Sequence, residues 1–184
     1  MSHDTVIKAL NRLNKKGIIS IQPKDHASHL HGENDRVFII LHGATIDDIY
    51  RAMLDEAFKG LNSDERERLF GYEGPAGSFS ARLILAQALG IIDREKRRKC
   101  EIIKAMRNVA AHCHTKITFD TLEIREAVLH LMPSSYRAKV KGWKSNEYRQ
   151  FFGLFCLTMA TPVTPAFNPE INFENLIRTF NDAS

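Results

Sequence analysis

The stretch Ser78-Phe-Ser-Ala-Arg-Leu-Ile-Leu-Ala-Gln-Ala-Leu-Gly-Ile-Ile-Asp-Arg-Glu-Lys-Arg-Arg-Lys-Cys-Glu-Ile-Ile-Lys-Ala-Met-Arg-Asn-Val-Ala-Ala-His112 decides the fold. It reads as two helices back to back. Ser78 is a good N-cap for a helix over 79–89. Gly90 stops that helix, and Ile91 stands where a Schellman motif places its hydrophobic contact. Asp93 caps the next helix, which runs to about Ala111.

The same grammar extends outward in both directions. Residues 4–16 predict a short helix with Val6, Leu10 and Leu13 on one face and Gly17 as its stop. Ile18–Gln22 suits a short extended piece, and Pro23–Asn34 a polar loop holding His26, His29 and His31. Asp35 is placed to cap a long helix from 36 to about 59, with Val37, Ile40, Leu41 and Ala44, then Ile49, Met53 and Ala57, as its apolar face. Asn62 with Glu65 forms a capping-box pattern for a short helix to Phe70. Asp120 with Glu123 predicts another cap, for a helix that Pro133 ends. Ser145 opens a helix whose interior, 151–157, is apolar all round, which predicts the central helix of the bundle. Thr161–Pro169 reads as a Pro-rich linker before a last short helix over about 173–180. No repeat and no sheet pattern is present. The expected fold is all-α: a single-domain helical bundle of about six to eight helices. An arm over 1–33, a bundle over 34–160 and a C-terminal piece over 161–184 divide it.

Composition narrows the function classes. The 184 residues are 43% hydrophobic and 26% charged, which excludes a disordered chain. No apolar run approaches the roughly 18 to 20 residues that span a bilayer, and no signal-peptide core follows Met1, so a cytoplasmic protein without membrane contact is expected. Cys100, Cys113 and Cys156 are an odd count on predicted helices and favour free thiols in a reducing compartment. The net charge of +4 and pI near 9.0 permit nucleic-acid contact without requiring it.

Several residue sets are candidate sites. Arg107, Asn108 and His112 can together handle a phosphodiester; they can equally pin the end of a buried helix. Residues 107 and 112 lie about 140° apart on an ideal helix, so they share a face only if the helix ends between them. Asn108 and His112 are i,i+4 and can bond each other. Arg107 has Asp55 and Glu56 of the long helix as possible partners. Ser78, Ser80 and Arg82 form a candidate anion site at a helix N-terminus, where Arg82 and Arg107 could meet around a shared anion. The Gly-rich turn over 71–77 lacks the Lys and Ser/Thr of a P-loop, and a plain turn and cap also explain it. Lys8, Arg12, Lys15 and Lys16 near the N-terminus, and Arg137, Lys139, Lys141, Trp143 and Lys144 further on, are nucleic-acid candidates; the second set interleaves cations with aromatics, as backbone contact plus base stacking requires. A solvated connector is the alternative for that second set. Cys100, His112, Cys113 and His114 lack paired ligand spacing, so no metal is expected, and no cofactor.

These residues carry resemblances. Gly74-Pro75, Phe79–Ile92 and Ile103–His112 together resemble the mannitol operon repressor family, with Asp35-Arg36 and Leu54-Asp55-Glu56 fitting less specifically; the resemblance covers roughly 34–132. It implies an all-helical fold and a role as a bacterial transcriptional regulator, acting on DNA or through a regulatory or transport-system protein. Members often carry an aromatic where this chain has Ala110. The hexapeptide 107–112 also resembles the Arg-polar-x-x-x-His signature of the HEPN superfamily, many of whose members are metal-independent ribonucleases acting as dimers. That resemblance implies RNA as partner, His112 as general acid/base at a 2′-hydroxyl, Arg107 stabilising the phosphorane and Asn108 positioning the phosphate. The stretch Val6–Ile21 resembles the recognition helix and wing entry of winged-helix regulators, although the two helices that should precede it are missing; an arm packed on the bundle is the alternative. Three functions therefore stand open: a regulator that binds, a HEPN-type nuclease, and an interaction module without nucleic-acid contact. A homodimer is expected.

Overall fold

The computed structural model describes residues 2–16, 33–159 and Arg178, and for 14–16, 33 and 34 the backbone alone. The described residues form seven α-helices and no strand: α1 (His3–Lys16), α2 (Glu33–Ala57), α3 (Ser63–Phe70), α4 (Phe79–Ala88), α5 (Arg94–His112), α6 (Leu122–Leu131) and α7 (Ser145–Met159). A 3-10 turn over Ser134–Tyr136 follows α6. The fold is the all-α bundle expected. The extended piece at 18–22, the three loop histidines, the linker at 161–169 and the C-terminal helix lie outside the described residues, Arg178 excepted.

Local chemistry sets most helix ends as the sequence predicts. Asn62 Oδ1 accepts from Glu65 N–H at 3.0 Å while Glu65 accepts from Asn62 N–H at 2.9 Å, a complete capping box. Ser78 Oγ accepts from Ala81 N–H at 3.1 Å, and Asp93 Oδ1 from Lys96 N–H at 2.7 Å. At the end of α4, Gly90 takes φ +72°, a conformation that glycine adopts without a Cβ penalty. Its N–H reaches Gln87 O and that of Ile91 reaches Ala86 O, which completes the Schellman motif.

Two caps differ from expectation because an arginine draws the carboxylate away from the helix start. Asp35 lies inside α2, not before it; it accepts from Phe119 N–H at 3.2 Å and pairs with Arg149 at 3.5 Å. Asp120 pairs with Arg125, and Thr121 stands at the N-cap of α6 without a side-chain cap bond, its hydroxyl accepting from Thr118 N–H at 3.2 Å instead.

The packing centre also differs. α5 is the helix at the middle, packed on α1, α2, α4 and α6, whereas α7 packs chiefly on α2 and α6 and meets α5 through Lys96 and Lys99. Cys100, Ile103, Met106 and Ala110 on α5 are fully buried. Each large one contributes about 1.5–3 kcal/mol by leaving water. α7 is not apolar-buried all round, since Leu157 is 63% exposed. On α2 the inward face is Ile39, Ile46, Tyr50 and Leu54, while Val37 and Leu41 face outward at 46% and 58% exposure. The first turns of α2 are apolar on every side, so periodicity there cannot choose a face. α1 buries Val6 and Leu10 against α5 and α6.

Candidate functional site

The motif residues of α5 point three ways. α5 continues unbroken through His112, so the helix does not end between Arg107 and His112 and the two do not share a face.

Arg107 faces α2. Its Nη1 donates to Asp47 Oδ2 at 3.1 Å, and its guanidinium lies 5.5 Å above the Phe79 ring. The other oxygen of the same carboxylate accepts from Arg82 Nε at 2.8 Å and Nη2 at 2.6 Å. Arg82 Nη1 donates onward to Ala76 O at 3.2 Å and Gly77 O at 2.9 Å. One carboxylate therefore joins α2, α4, α5 and the Gly-rich turn, with Asp47 13% exposed and Arg82 12% exposed at their side chains. Arg82 and Arg107 do meet around a shared anion, and that anion is internal. The partner of Arg107 is Asp47, not Asp55 or Glu56; Asp55 holds Arg51 at 2.9 Å and Arg66 at 3.4 Å.

Gly43, one turn before Asp47, makes this approach possible. A Cβ there would stand 2.8 Å from Arg107 Cβ and 3.0 Å from its Cγ and Cδ. The aliphatic stem of Arg107 lies against the bare backbone of α2.

His112 is exposed and makes no side-chain contact with Asn108 or with any other described residue. The helix end that it was expected to pin is held by Arg36. Arg36 Nη1 donates to Ala110 O and Cys113 O, both at 2.8 Å, and Nη2 to Thr115 O at 2.7 Å. A guanidinium at the carbonyl end of a helix satisfies orphan acceptors and opposes the negative pole of the dipole.

Asn108, about 100° around α5 from Arg107, lines a cleft of about 430 Å³ between α1, α4 and α5. Ser80 and Lys104 line it as well, with Lys104 Nζ donating to Ser80 Oγ. Of the predicted anion set, Ser78 is taken up by its cap, Arg82 by Asp47, and Ser80 alone opens into a cavity.

The basic segments divide similarly. Lys8 and Arg12 are exposed on α1, and the side chains of Lys15 and Lys16 lie outside the described residues. In the later segment Lys139, Lys141 and Lys144 are exposed, while Arg137 is half-buried. The aromatics turn inward: Tyr136 is buried and Trp143 packs edge-on to Tyr148 at 5.7 Å and against Phe151 at 5.9 Å. Trp143 is partly buried, with part of its ring committed to that packing.

The three cysteines are free and buried. Burial pushes the Cys100 thiol up to about 12, and the thiol donates to Tyr50 Oη at 3.4 Å. No group of three metal-ligating side chains stands together among the described residues, and no described helix is long and apolar enough to cross a membrane.

Sequence reasoning missed Asp47, Gly43 and Lys104 as site residues, and treated Arg36 only as part of a resemblance. An isolated glycine inside a helical pattern was the one local signal, since it often marks a close approach. Nothing local separates Asp47 from Asp48. No family model matches this chain, and neither a curated protein nor a solved structure does.

Proposed function

We propose that this protein is a bacterial transcriptional regulator of the mannitol-operon-repressor type, and that it acts by binding DNA or a regulatory protein rather than by chemistry. The observation that carries the choice against chemistry is the Asp47 carboxylate held between Arg82 and Arg107. An arginine that stabilises a phosphorane must aim its donors at the reacting phosphate. Arg107 instead donates into the protein. A general base must stand within hydrogen-bond reach of the nucleophile beside that arginine, and His112 lies on another face of the same helix. What supports the family reading is that its two resembling stretches, 79–92 and 103–112, lie largely on contacting helices joined through one carboxylate. Lys8 and Arg12 on the outward side of α1 supply cations for a DNA backbone.

The test pairs two assays. Purified protein and its His112→Ala variant are incubated with structured RNA in the absence of metal. No His112-dependent cleavage is expected, and such cleavage would replace this reading with the HEPN-type nuclease. In parallel, promoter fragments are titrated at low salt. A shift that weakens steeply as salt rises marks direct DNA binding. No shift of any fragment removes the DNA arm and leaves the protein partner.

A further inference from the structure

We propose that the cleft between α1, α4 and α5 binds a small phosphomonoester that carries no aromatic ring. This site lies on a different face of α5 from the Asp47 junction and stands whether or not the chain contacts DNA.

Lys8 from α1 and Lys104 from α5 both line the cleft, and neither is in an ion pair among the described residues. Two carboxylates share the lining, Glu101 paired outside it with Arg97 and Asp4 largely exposed to water. Glu101 is held by Arg97 at 3.4 Å and approached by His3 at 3.6 Å, and Asp4 lies 3.3 Å from the His3 ring. Two ammonium groups from two different helices thus line one cavity, and neither forms an ion pair with the two carboxylates of the same lining, Asp4 and Glu101. Like charges on facing helices repel, and a ligand anion between them removes that cost.

The polar groups then choose among anions. Lys104 donates to Ser80 Oγ, so the Ser80 hydroxyl proton is left to donate outward. Two ammonium groups and one hydroxyl match a phosphate, which bears three terminal oxygens and close to two negative charges near neutral pH. A carboxylate offers one charge and two oxygens and leaves one lysine uncompensated.

The remaining lining describes the body of the ligand. The side-chain amides of Asn11 and Asn108 face the cleft and make no hydrogen bond among the described residues. Each offers both a donor and an acceptor, the complement of a hydroxyl group. Ile7 and Ala105 give a small apolar floor. The sole ring in the lining is that of His3, held by Arg98 O at 3.1 Å and by Asp4, and no Phe, Tyr or Trp offers a nucleobase a stacking platform. A volume of about 430 Å³ accommodates a five- or six-carbon body.

Isothermal titration of the full chain with ribose 5-phosphate tests the assignment, with ribose and AMP as comparisons. One-to-one saturable binding by ribose 5-phosphate is expected, at least about tenfold tighter than either comparison. Lys8→Gln and Lys104→Gln should each weaken it by about tenfold while thermal melting stays unchanged. In the unsubstituted protein, amide chemical-shift changes should cluster on α1, the start of α4 and residues 101–108, a readout that needs no variant. Absence of saturable heat up to about 10 mM ribose 5-phosphate overturns the proposal, as does equal affinity in both lysine variants. Tighter binding of AMP or of an unphosphorylated oligonucleotide at the same residues also overturns it, and assigns the cleft to nucleic acid.

Discussion

Two sides of one helix treat charge in opposite ways. Toward α2, Arg107 and Arg82 close on a single internal carboxylate, and every participant is largely shielded from water. Toward α1, Lys8 and Lys104 face an open cleft and pair with neither of its carboxylates, Asp4 and Glu101. Arg107 and Asn108 are neighbours in sequence, yet one is cemented and the other is free. The comparison teaches that a motif read along a chain is not a site: its residues acquire roles from what the neighbouring helices bring to each face. A compensated, buried cluster holds structure together, while an uncompensated one in a cavity is available to a ligand.

Substitutions can break this contrast at its strongest point first. Asp47→Ala strands two guanidinium groups beside the core. It should cost about 2–4 kcal/mol, read as a lower denaturation midpoint in urea. Arg36→Met removes three charge-assisted bonds from the end of α5 and should cost about 1.5–3 kcal/mol, with faster hydrogen exchange in the last turn of α5. Gly43→Ala gains helix propensity but places a Cβ against Arg107. The net expectation is a loss of about 1 kcal/mol that disappears when Arg107 is also truncated. Lys8→Gln and Lys104→Gln, on the other side, should leave stability within about 0.5 kcal/mol, by thermal melting. Equal costs on both sides of α5 would erase the distinction drawn between them.

A pH titration adds a weaker, independent check on the core. The Cys100 thiol is raised from 9.0 to about 12 by burial, so it stays protonated in the folded state where the unfolded chain would ionise. Its contribution is complete below about pH 9 and is lost as pH rises toward 12. Burial lowers the pKa of Lys96, which acts in the opposite sense at alkaline pH. The melting temperature measured from pH 8 to 10 should therefore fall more in the parent protein than in Cys100→Ala. Parallel curves would show that Cys100 ionises freely in the folded state.

What the sequence made legible follows the range of the interactions. The capping box at Asn62 and Glu65, the caps at Ser78 and Asp93 and the Schellman end at Gly90 involve partners within five residues, and the local pattern contains them in full. Asp35 carries the same local signal, but Arg149 of α7 draws its carboxylate away; Asp120 is lost to a competitor also near in sequence, Arg125 of α6, which the cap pattern does not rank. The buried face of α2 was hidden for a related reason. Val37 and Leu41 are as apolar as Ile39 and Ile46, so only the approach of α5 at Gly43 decides which face turns inward. At the candidate site the types of residue were visible but not their grouping. Asp47 stands 35 residues from Arg82 and 60 from Arg107, and no short-range rule joins them. Lys104 reads as one cation on a basic helix until α1 and Ser80 close the cleft around it.

The central claim is that Arg107 holds helices together through Asp47. A double-mutant cycle on urea unfolding tests it directly, using Asp47→Ala, Arg107→Ala and the pair. The account predicts a coupling energy of about 1–3 kcal/mol, with the double variant little worse than Asp47→Ala alone. Additive losses, with coupling within about 0.3 kcal/mol of zero, would mean that Arg107 is free of Asp47 in solution and would contradict it.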